Sequence, residues 1–197
     1  GVVANGKLIV NSSSDFSYNA YLRNRGGGSN AFLLEFEKQG TGTQTLSGDR
    51  ITYTGATTIS GGTLQLTDTT AFSASSAITN NANLTINRTT GTQTFANIIS
   101  GSGGVTKLGA GAVTLSGATS SYSGQTNIEQ GTLSFSSSAN LGNASATNTI
   151  RIANNATLQS TGTVDLSANR SIAMAGDGAT IEVTSTNVLT APGSLLG

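Results

Sequence analysis

The chain has no cysteine, no histidine and no tryptophan, one proline and one methionine. Each absence removes a class of chemistry. Without Cys there is no disulfide framework and no thiolate metal site. Without His a serine-protease-type triad is impossible, and Cys-based catalysis is excluded as well. Charge is scarce too: 9% of the 197 residues are charged, against roughly 25% in typical soluble domains. Nine basic residues balance nine acidic ones, so no chain-wide basic field exists to attract nucleic acid or anionic lipid. No apolar run approaches the roughly 18 residues of a membrane helix. The chain opens Gly1-Val2-Val3, without Met or a basic–apolar signal segment; the expectation is a mature fragment or a piece of something longer.

What is present is polar and β-forming. Thr, Ser, Gly and Asn together supply more than half of the residues. Disordered chains are rich in Pro, Lys and Glu and poor in β-branched residues; here Thr, Ile and Val abound, which favours strands. Alternation is clear at Val113 and Leu115, Leu133 and Phe135, Ile150 and Ile152, Val164 and Leu166, and Ile181 and Val183. A period of two puts each pair on one strand face. No stretch carries the i, i+3, i+4 apolar pattern of a helix; Ala31-Phe32-Leu33-Leu34-Glu35-Phe36 runs straight into Lys-Gln-Gly-Thr-Gly and reads as strand.

The sequence also repeats. Residues 38–64 align without a gap on residues 107–133, at a constant offset of 69, with 14 identities in 27 positions. Lys38, Gly40 and Gly42 match Lys107, Gly109 and Gly111; Thr45-Leu46-Ser47-Gly48 matches Thr114-Leu115-Ser116-Gly117. Tyr53, Gly55, Thr57 and Ile59 match Tyr122, Gly124, Thr126 and Ile128, and Gly62-Thr63-Leu64 matches Gly131-Thr132-Leu133. A looser unit of short strand, Gly or Asn turn, and second strand starts at Val3, Ile59, Ile78, Ile98, Ile128, Ile152 and Met174, with 22–33 as one more copy. Most spacings fall near 20–24 residues, and the 69-residue repeat then spans about three units. A fixed period of this size, with strands and no helices, is the signature of a solenoid. The expected fold is all-β: a parallel β-helix of about eight or nine short coils forming one segment over 1–197. Ile, Leu and Val of the unit should stack inward, with Thr and Ser alternating outward. Gly61-Gly62, Asn80-Asn81 and Asn154-Asn155 should make the turns, either as an Asn ladder or as solvated turns.

Gly103-Gly104-Val105-Thr106-Lys107-Leu108-Gly109-Ala110-Gly111, followed by Val113-Thr114-Leu115-Ser116-Gly117, Tyr122-Ser123-Gly124-Gln125-Thr126 and Gly131-Thr132-Leu133, strongly resembles the passenger-associated transport repeat of bacterial autotransporters. The copy at 38–64 departs from the pattern where Gln44 replaces Val113 and Asp49-Arg50 replace Ala118-Thr119. The resemblance implies a right-handed β-helix, secretion with the help of a C-terminal translocator barrel, and an extracellular, surface-displayed stalk or adhesin segment that aids passenger folding. The barrel itself is not in this chain, which holds no series of ~10-residue alternating strands with aromatic girdles. The repeat carries no catalytic residue.

Read residue by residue, the sequence offers no catalytic, metal or cofactor site, and its binding residues are unknown. Paired carboxylates are the remaining route to catalysis. The nine candidates, Asp15, Glu35, Glu37, Asp49, Asp68, Glu129, Asp165, Asp177 and Glu182, read as isolated surface charges, with Glu35 and Glu37 on one strand face near a basic residue. Gly101-Ser102-Gly103-Gly104-Val105-Thr106-Lys107 lacks phosphate-loop spacing and a following helix. Gly176-Asp177-Gly178 is a single near-match to a calcium repeat. Thr-x-Thr runs at 41–45, 52–54 and 92–94 do not recur in register as an ice-binding face would require. Tyr53 and Tyr122 could stack on a sugar or pack against the inserted loop. A stalk leads; a self-assembling fibre joined end to end through open sheet edges, or a module holding host or biofilm polysaccharide, are the alternatives.

Overall fold

A computed structural model describes residues 5–26, 32–70, 72, 76–153 and 155–197. Val3 and Ala4 of the first unit, Gly27-Gly28 of the glycine run and Asn154 of the last Asn pair lie outside them. Short strands separated by Gly- and Asn-bearing turns pair in parallel with the strands one coil away, giving a β-solenoid of about seven turns, close to the eight or nine expected. Among the described residues the one antiparallel contact is the Arg25–Phe32 bridge, and no α-helix occurs.

The first face carries β1 (Gly6–Asn11), β3 (Leu34–Gln39), β5 (Thr57–Ile59), β7 (Ile78–Asn80) and β10 (Ile99–Ser100). The second runs the length of the rod through β2 (Phe16–Tyr18), β4 (Thr43–Ser47), β6 (Thr63–Thr67), β8 (Asn83–Asn87), β11 (Gly104–Leu108), β13 (Thr126–Ile128), β15 (Ile150–Ile152), β18 (Ile172–Met174) and β21 (Leu195–Leu196). The third holds β9 (Thr92–Phe95), β12 (Ala112–Leu115), β14 (Thr132–Phe135), β16 (Thr157–Ser160) and β19 (Thr180–Val183). A final pair, β17 (Val164–Asp165) and β20 (Leu189–Thr190), stands beside the last coils. Beyond β10 the first face continues through single ladder bonds, from Tyr122 N–H to Ile99 C=O (3.2 Å) and from Asn143 N–H to Tyr122 C=O (3.0 Å).

Alternation decides what goes inside. On the second face Leu64, Leu84 and Val105 stack in register, as do Leu66 and Ile86; all are buried. On the first, Phe36, Thr57, Ile78 and Ile99 stack. An aromatic column links coils: Phe36 packs on Tyr53 (6.1 Å), Tyr53 edge-on against Phe72 (5.6 Å), and Phe72 stacks on Phe95 (6.0 Å). Such contacts add about 0.5–1.5 kcal/mol each beyond the area they bury.

The registers correct the expected length of the long repeat. Three coils carry the chain from Phe36 through Thr57 and Ile78 to Ile99. Six residues further on, Val105 stands on the second face, paired with Leu84. The repeat is therefore three coils plus one face. The copy at 38–64 turns from the first face to the second, whereas the copy at 107–133 turns from the second to the third. Within the unit expected over 22–33, Leu22 bridges in parallel to Ile51 and Arg25 antiparallel to Phe32, and residues 27–31 lie outside the described residues.

Candidate functional site

The corners of the repeat are the chemically distinctive part of the rod. Lys38 and Lys107 follow Phe36 and Val105 by two residues, so they point inward; Lys107 takes a stack position between Ile86 and Ile128, and Lys38 lies between Val10 and Ile59. Both are buried. Neither ammonium meets a carboxylate. Lys107 Nζ donates to the carbonyls of Leu108 (2.8 Å), Gly109 (2.7 Å) and, in the next coil, Gln130 (3.1 Å). Lys38 Nζ donates to the carbonyls of Gln39, Gly40 (3.1 Å) and Gly61 (3.4 Å). These are equivalent carbonyls in the two copies. At a corner the backbone leaves the ladder and C=O groups lose N–H partners, although Leu108 C=O still accepts from Arg88 N–H (2.9 Å); a lysine head supplies three donors at once. Burial pushes the Lys107 ammonium down to about 8 and lowers Lys38 as well, the latter opposed by Asp15.

The motif's glycines make room for this clamp. Gly62 and Gly131 have φ of 63° and 64°, a region that disfavours any residue with a Cβ. A Cβ at Gly62 would meet the carbonyls of Gly42 and Gly40 and Lys38 Nζ, and one at Gly131 the carbonyls of Gly111 and Gly109.

The motif's tyrosines are fully buried, so stacking on a sugar is ruled out for them in this structure. Tyr53 Oη bonds Thr57 Oγ1 (2.8 Å), which also bonds Ser76 Oγ (2.9 Å), and Ser76 donates to the Gly55 carbonyl (2.7 Å). Tyr122 Oη bonds Thr126 Oγ1 (2.8 Å). Burial raises both phenols, Tyr122 to about 12. Arg170, which the sequence reading passed over, is fully buried under the 3₁₀ turn Ser138–Leu141. Its guanidinium donates to Ser138 Oγ (3.1 Å) and to the carbonyls of Leu141 (3.3 Å), Gly142 (3.1 Å) and Asn143 (3.0 Å).

The acidic candidates do not converge: among the described residues no three of them gather. Glu35 and Glu37 do share the outward face of β3. Glu37 pairs with Lys7 and accepts from Gln39 (2.7 Å) and Ser60 (3.2 Å); the Lys7 and Gln39 contacts hold its carboxyl below the ordinary value, the wrong direction for a general acid. Glu35 accepts from Asn5 (3.2 Å). Asp68 pairs with Arg88 (3.3 Å) and Glu129 with Arg151 (2.6 Å). Asp15 caps the Thr43 N–H (2.6 Å), Asp165 the Ser167 N–H (2.9 Å), and Glu182 accepts from Gln159 (2.9 Å). The Asn80-Asn81 turn bonds Gly104, Ala82 and Ser102 and forms no Asn ladder. An apolar cavity of about 360 Å³ near the N-terminal strands is lined by Leu8, Val10, Tyr18, Leu22, Phe36 and Leu46 with Gln44. Gln44, the departure from the motif, turns its amide to the Phe16 (3.3 Å) and Thr45 (2.9 Å) carbonyls.

Comparison with known proteins agrees with this geometry. The family model described as passenger-associated-transport-repeat matches residues 36–66 and 105–135, the segments that contain the two lysine corners. The adhesin BmaC autotransporter of Brucella suis biovar 1 (strain 1330) is 41% identical over 97 residues, 49% of this chain and 3% of that protein. No solved structure matches. Two segments of the chain thus match the passenger-associated transport repeat, and the chain spans only a small part of the length of the autotransporter adhesin it resembles.

Proposed function

We propose that this segment is a non-catalytic stalk of a surface-displayed autotransporter passenger, whose repeats drive and lock its folding outside the cell. One observation carries the reading. Each repeat lysine ties the corner of its own coil to a carbonyl of the next one, Gly61 for Lys38 and Gln130 for Lys107. The acceptor lies 23 residues away, so the clamp closes only when the next coil has been laid down. A chain that emerges progressively gains such a contact with each repeat and resists sliding back. The relative's description as an adhesin fits a rod that holds other sequence away from the cell. The missing partner is then the protein's own C-terminal translocator barrel. The test is surface display: Lys38→Met with Lys107→Met in the full passenger should lower the protease-accessible amount on intact cells while synthesis is unchanged. Unaltered display would refute the reading.

A fibre made by end-to-end stacking has one observation in its favour. Leu8, Ile9, Phe16 and Tyr18 at one end and Val183, Val188, Leu195 and Leu196 at the other are exposed, beside strands paired on one side only. Small-angle scattering against concentration separates the two. A constant particle, about 34 Å long for seven turns at ~4.8 Å each, supports the stalk, and growing filaments support the fibre.

A further inference from the structure

The zero net charge conceals an uneven distribution. Of the nine cations, Lys7, Arg88 and Arg151 are paired with carboxylates. Lys38, Lys107 and Arg170 are buried and held by carbonyl and hydroxyl oxygens. The remaining three, Arg23, Arg25 and Arg50, are exposed and have no carboxylate partner among the described residues; Arg23 and Arg25 lie on the segment after Tyr21, and Arg50 on the neighbouring segment bridged to it at Leu22 and Ile51.

The backbone around them is well held. Tyr21, Arg23 and Arg25 are exposed, Leu22 is buried and Asn24 half-buried, the alternation of an extended strand. Both backbone groups of Leu22 bond the neighbouring segment: its N–H donates to the Arg50 carbonyl (3.1 Å) and its own carbonyl accepts from Thr52 N–H (2.8 Å). Asn24 accepts from Leu34 N–H (2.9 Å) and Thr54 N–H (3.2 Å), and donates to Thr54 Oγ1 (2.6 Å). Arg25 and Phe32 exchange both backbone bonds. Tyr18 Oη donates to the Tyr21 carbonyl (3.0 Å). On this braced backbone the Arg23 and Arg50 guanidinium groups stand 5.2 and 4.9 Å from the Tyr21 ring centre, which places two like charges within about one Debye length, ~8–10 Å. The ring quadrupole offsets part of their repulsion. Beside them opens a concave space of about 530 Å³ lined by Arg23, Asn24, Arg25 and Gly26. Asp49, exposed and next to Arg50 in sequence, makes no ion pair with it.

We propose that Tyr21, Arg23, Arg25 and Arg50 form a binding site for a polysaccharide carrying sulfate or uronate groups. A guanidinium presents paired N–H donors that match carboxylate and sulfate oxygens, and a tyrosine adds an amphipathic surface for a sugar ring. A glycan with spaced anions fits three cations gathered in one place on a chain of zero net charge; a nucleic acid or a charged bilayer draws on a wider basic field, which this chain lacks. The inference rests on the stalk reading only in placing the segment outside the cell.

The test is titration of the intact 197-residue chain with a heparin octasaccharide, an oligogalacturonate of the same length, neutral dextran, and phosphatidylglycerol–phosphatidylcholine vesicles. Binding to either anionic oligosaccharide but not to dextran, weakening as salt rises, is expected; which of the two binds names the anion. Arg23→Gln/Arg25→Gln/Arg50→Gln should weaken it at least ten-fold, and Arg23→Lys/Arg50→Lys, which keeps the charge and loses the fork, should weaken it severalfold. Lys7→Gln/Arg151→Gln should leave it unchanged. No binding to either oligosaccharide, equal loss in the Lys7/Arg151 control, or vesicle binding as tight as glycan binding would overturn the proposal. A well-folded rod of the expected length that ignores glycans would overturn this inference alone and leave the stalk standing.

Discussion

Replacing Lys107 with Met isolates the corner clamp, because the methionine keeps most of the side-chain volume between Ile86 and Ile128 and removes only the cation. Three charge-assisted bonds, at 2.8, 2.7 and 3.1 Å, disappear. A bond to a charged group is worth roughly 1.5–3 kcal/mol net; the Leu108 carbonyl keeps the Arg88 N–H (2.9 Å), so the loss falls mainly on the Gly109 and Gln130 carbonyls. Against this, methionine no longer brings an ammonium out of water. The balance is a loss of about 2–3 kcal/mol at neutral pH, equivalent to a fall in Tm of roughly 4–12 °C for a chain of this size. Because a solenoid coil contacts only its neighbours, the damage should be local. Amide exchange should accelerate over 104–133 while 36–66 keeps its protection, and Lys38→Met should show the reverse. Thermal melting by circular dichroism, with hydrogen exchange read by mass spectrometry, checks both. A variant within about 0.5 kcal/mol of the parent, the ordinary range for a neutral surface change, or uniform loss of protection along the rod, would refute the clamp.

The same lysine fixes a pH dependence. Its ammonium titrates at about 8 in the fold and near 10.4 unfolded, so between those values the unfolded chain binds more protons and stability rises with pH. The gap in melting temperature between the parent and Lys107→Met should therefore widen from pH 8 to about 10; a constant gap contradicts the shift. Above that the raised Tyr53 and Tyr122 phenols act oppositely, because the unfolded chain loses their protons first, and both proteins should lose stability together. Tyr122→Phe should cost about 1–3 kcal/mol by leaving Thr126 Oγ1 unpaired; Tyr53→Phe should cost less, since Thr57 keeps its bond to Ser76, and comparative denaturant melts read the difference. Gly131→Ala, which combines a positive φ with carbonyls crowding the new methyl, should cost more than about 2 kcal/mol, beyond what the left-handed backbone alone charges an alanine. Arg170→Met should cost roughly 3 kcal/mol or more, because the carbonyls of Leu141, Gly142 and Asn143 lose their shared donor, with the loss confined to the coils around 138–172.

The architecture was legible in the sequence because a solenoid is local: the strand period, the turn residues and the 69-residue offset are all written along the chain. The inward cations were legible too, but through a rule applied too narrowly. Phe36 and Lys38, like Val105 and Lys107, are two residues apart on a strand, and alternation places them on the same face. Ile, Leu and Val were the residues expected inside, and the lysines were not placed, because a charge inside a narrow core needs partners that no sequence pattern displays. Those partners are backbone carbonyls, and their availability depends on where the chain leaves the ladder. For Tyr53 and Tyr122 the sequence left sugar stacking and packing open; burial selects packing, with hydroxyl partners Thr57 and Thr126 at the start of the next strand, four residues on. The arginine cluster was hidden because pairing subtracts cations unevenly, and only the structure shows which of the nine are already satisfied.

That the two copies occupy different pairs of faces identifies the real unit of the repeat. If the motif were adapted to a face, its residues would need the neighbours that face supplies, and a shift by one face would set Lys107 against the wrong partners. Instead Lys38 and Lys107 meet equivalent carbonyls on different corners, and Gly62 and Gly131 adopt the same left-handed turn beneath them. What repeats is a corner with its two flanking strands. A corner needs only parallel coils above and below, a condition met on every side of the rod. Orphaned carbonyls arise at every such bend, and a buried lysine or arginine satisfies several of them with one side chain; a carboxylate, an acceptor only, would add to the deficit. This accounts for all three buried cations lacking an anionic partner. It also lets a solenoid accumulate repeats at spacings that are not whole numbers of coils, since each corner closes wherever the chain happens to turn.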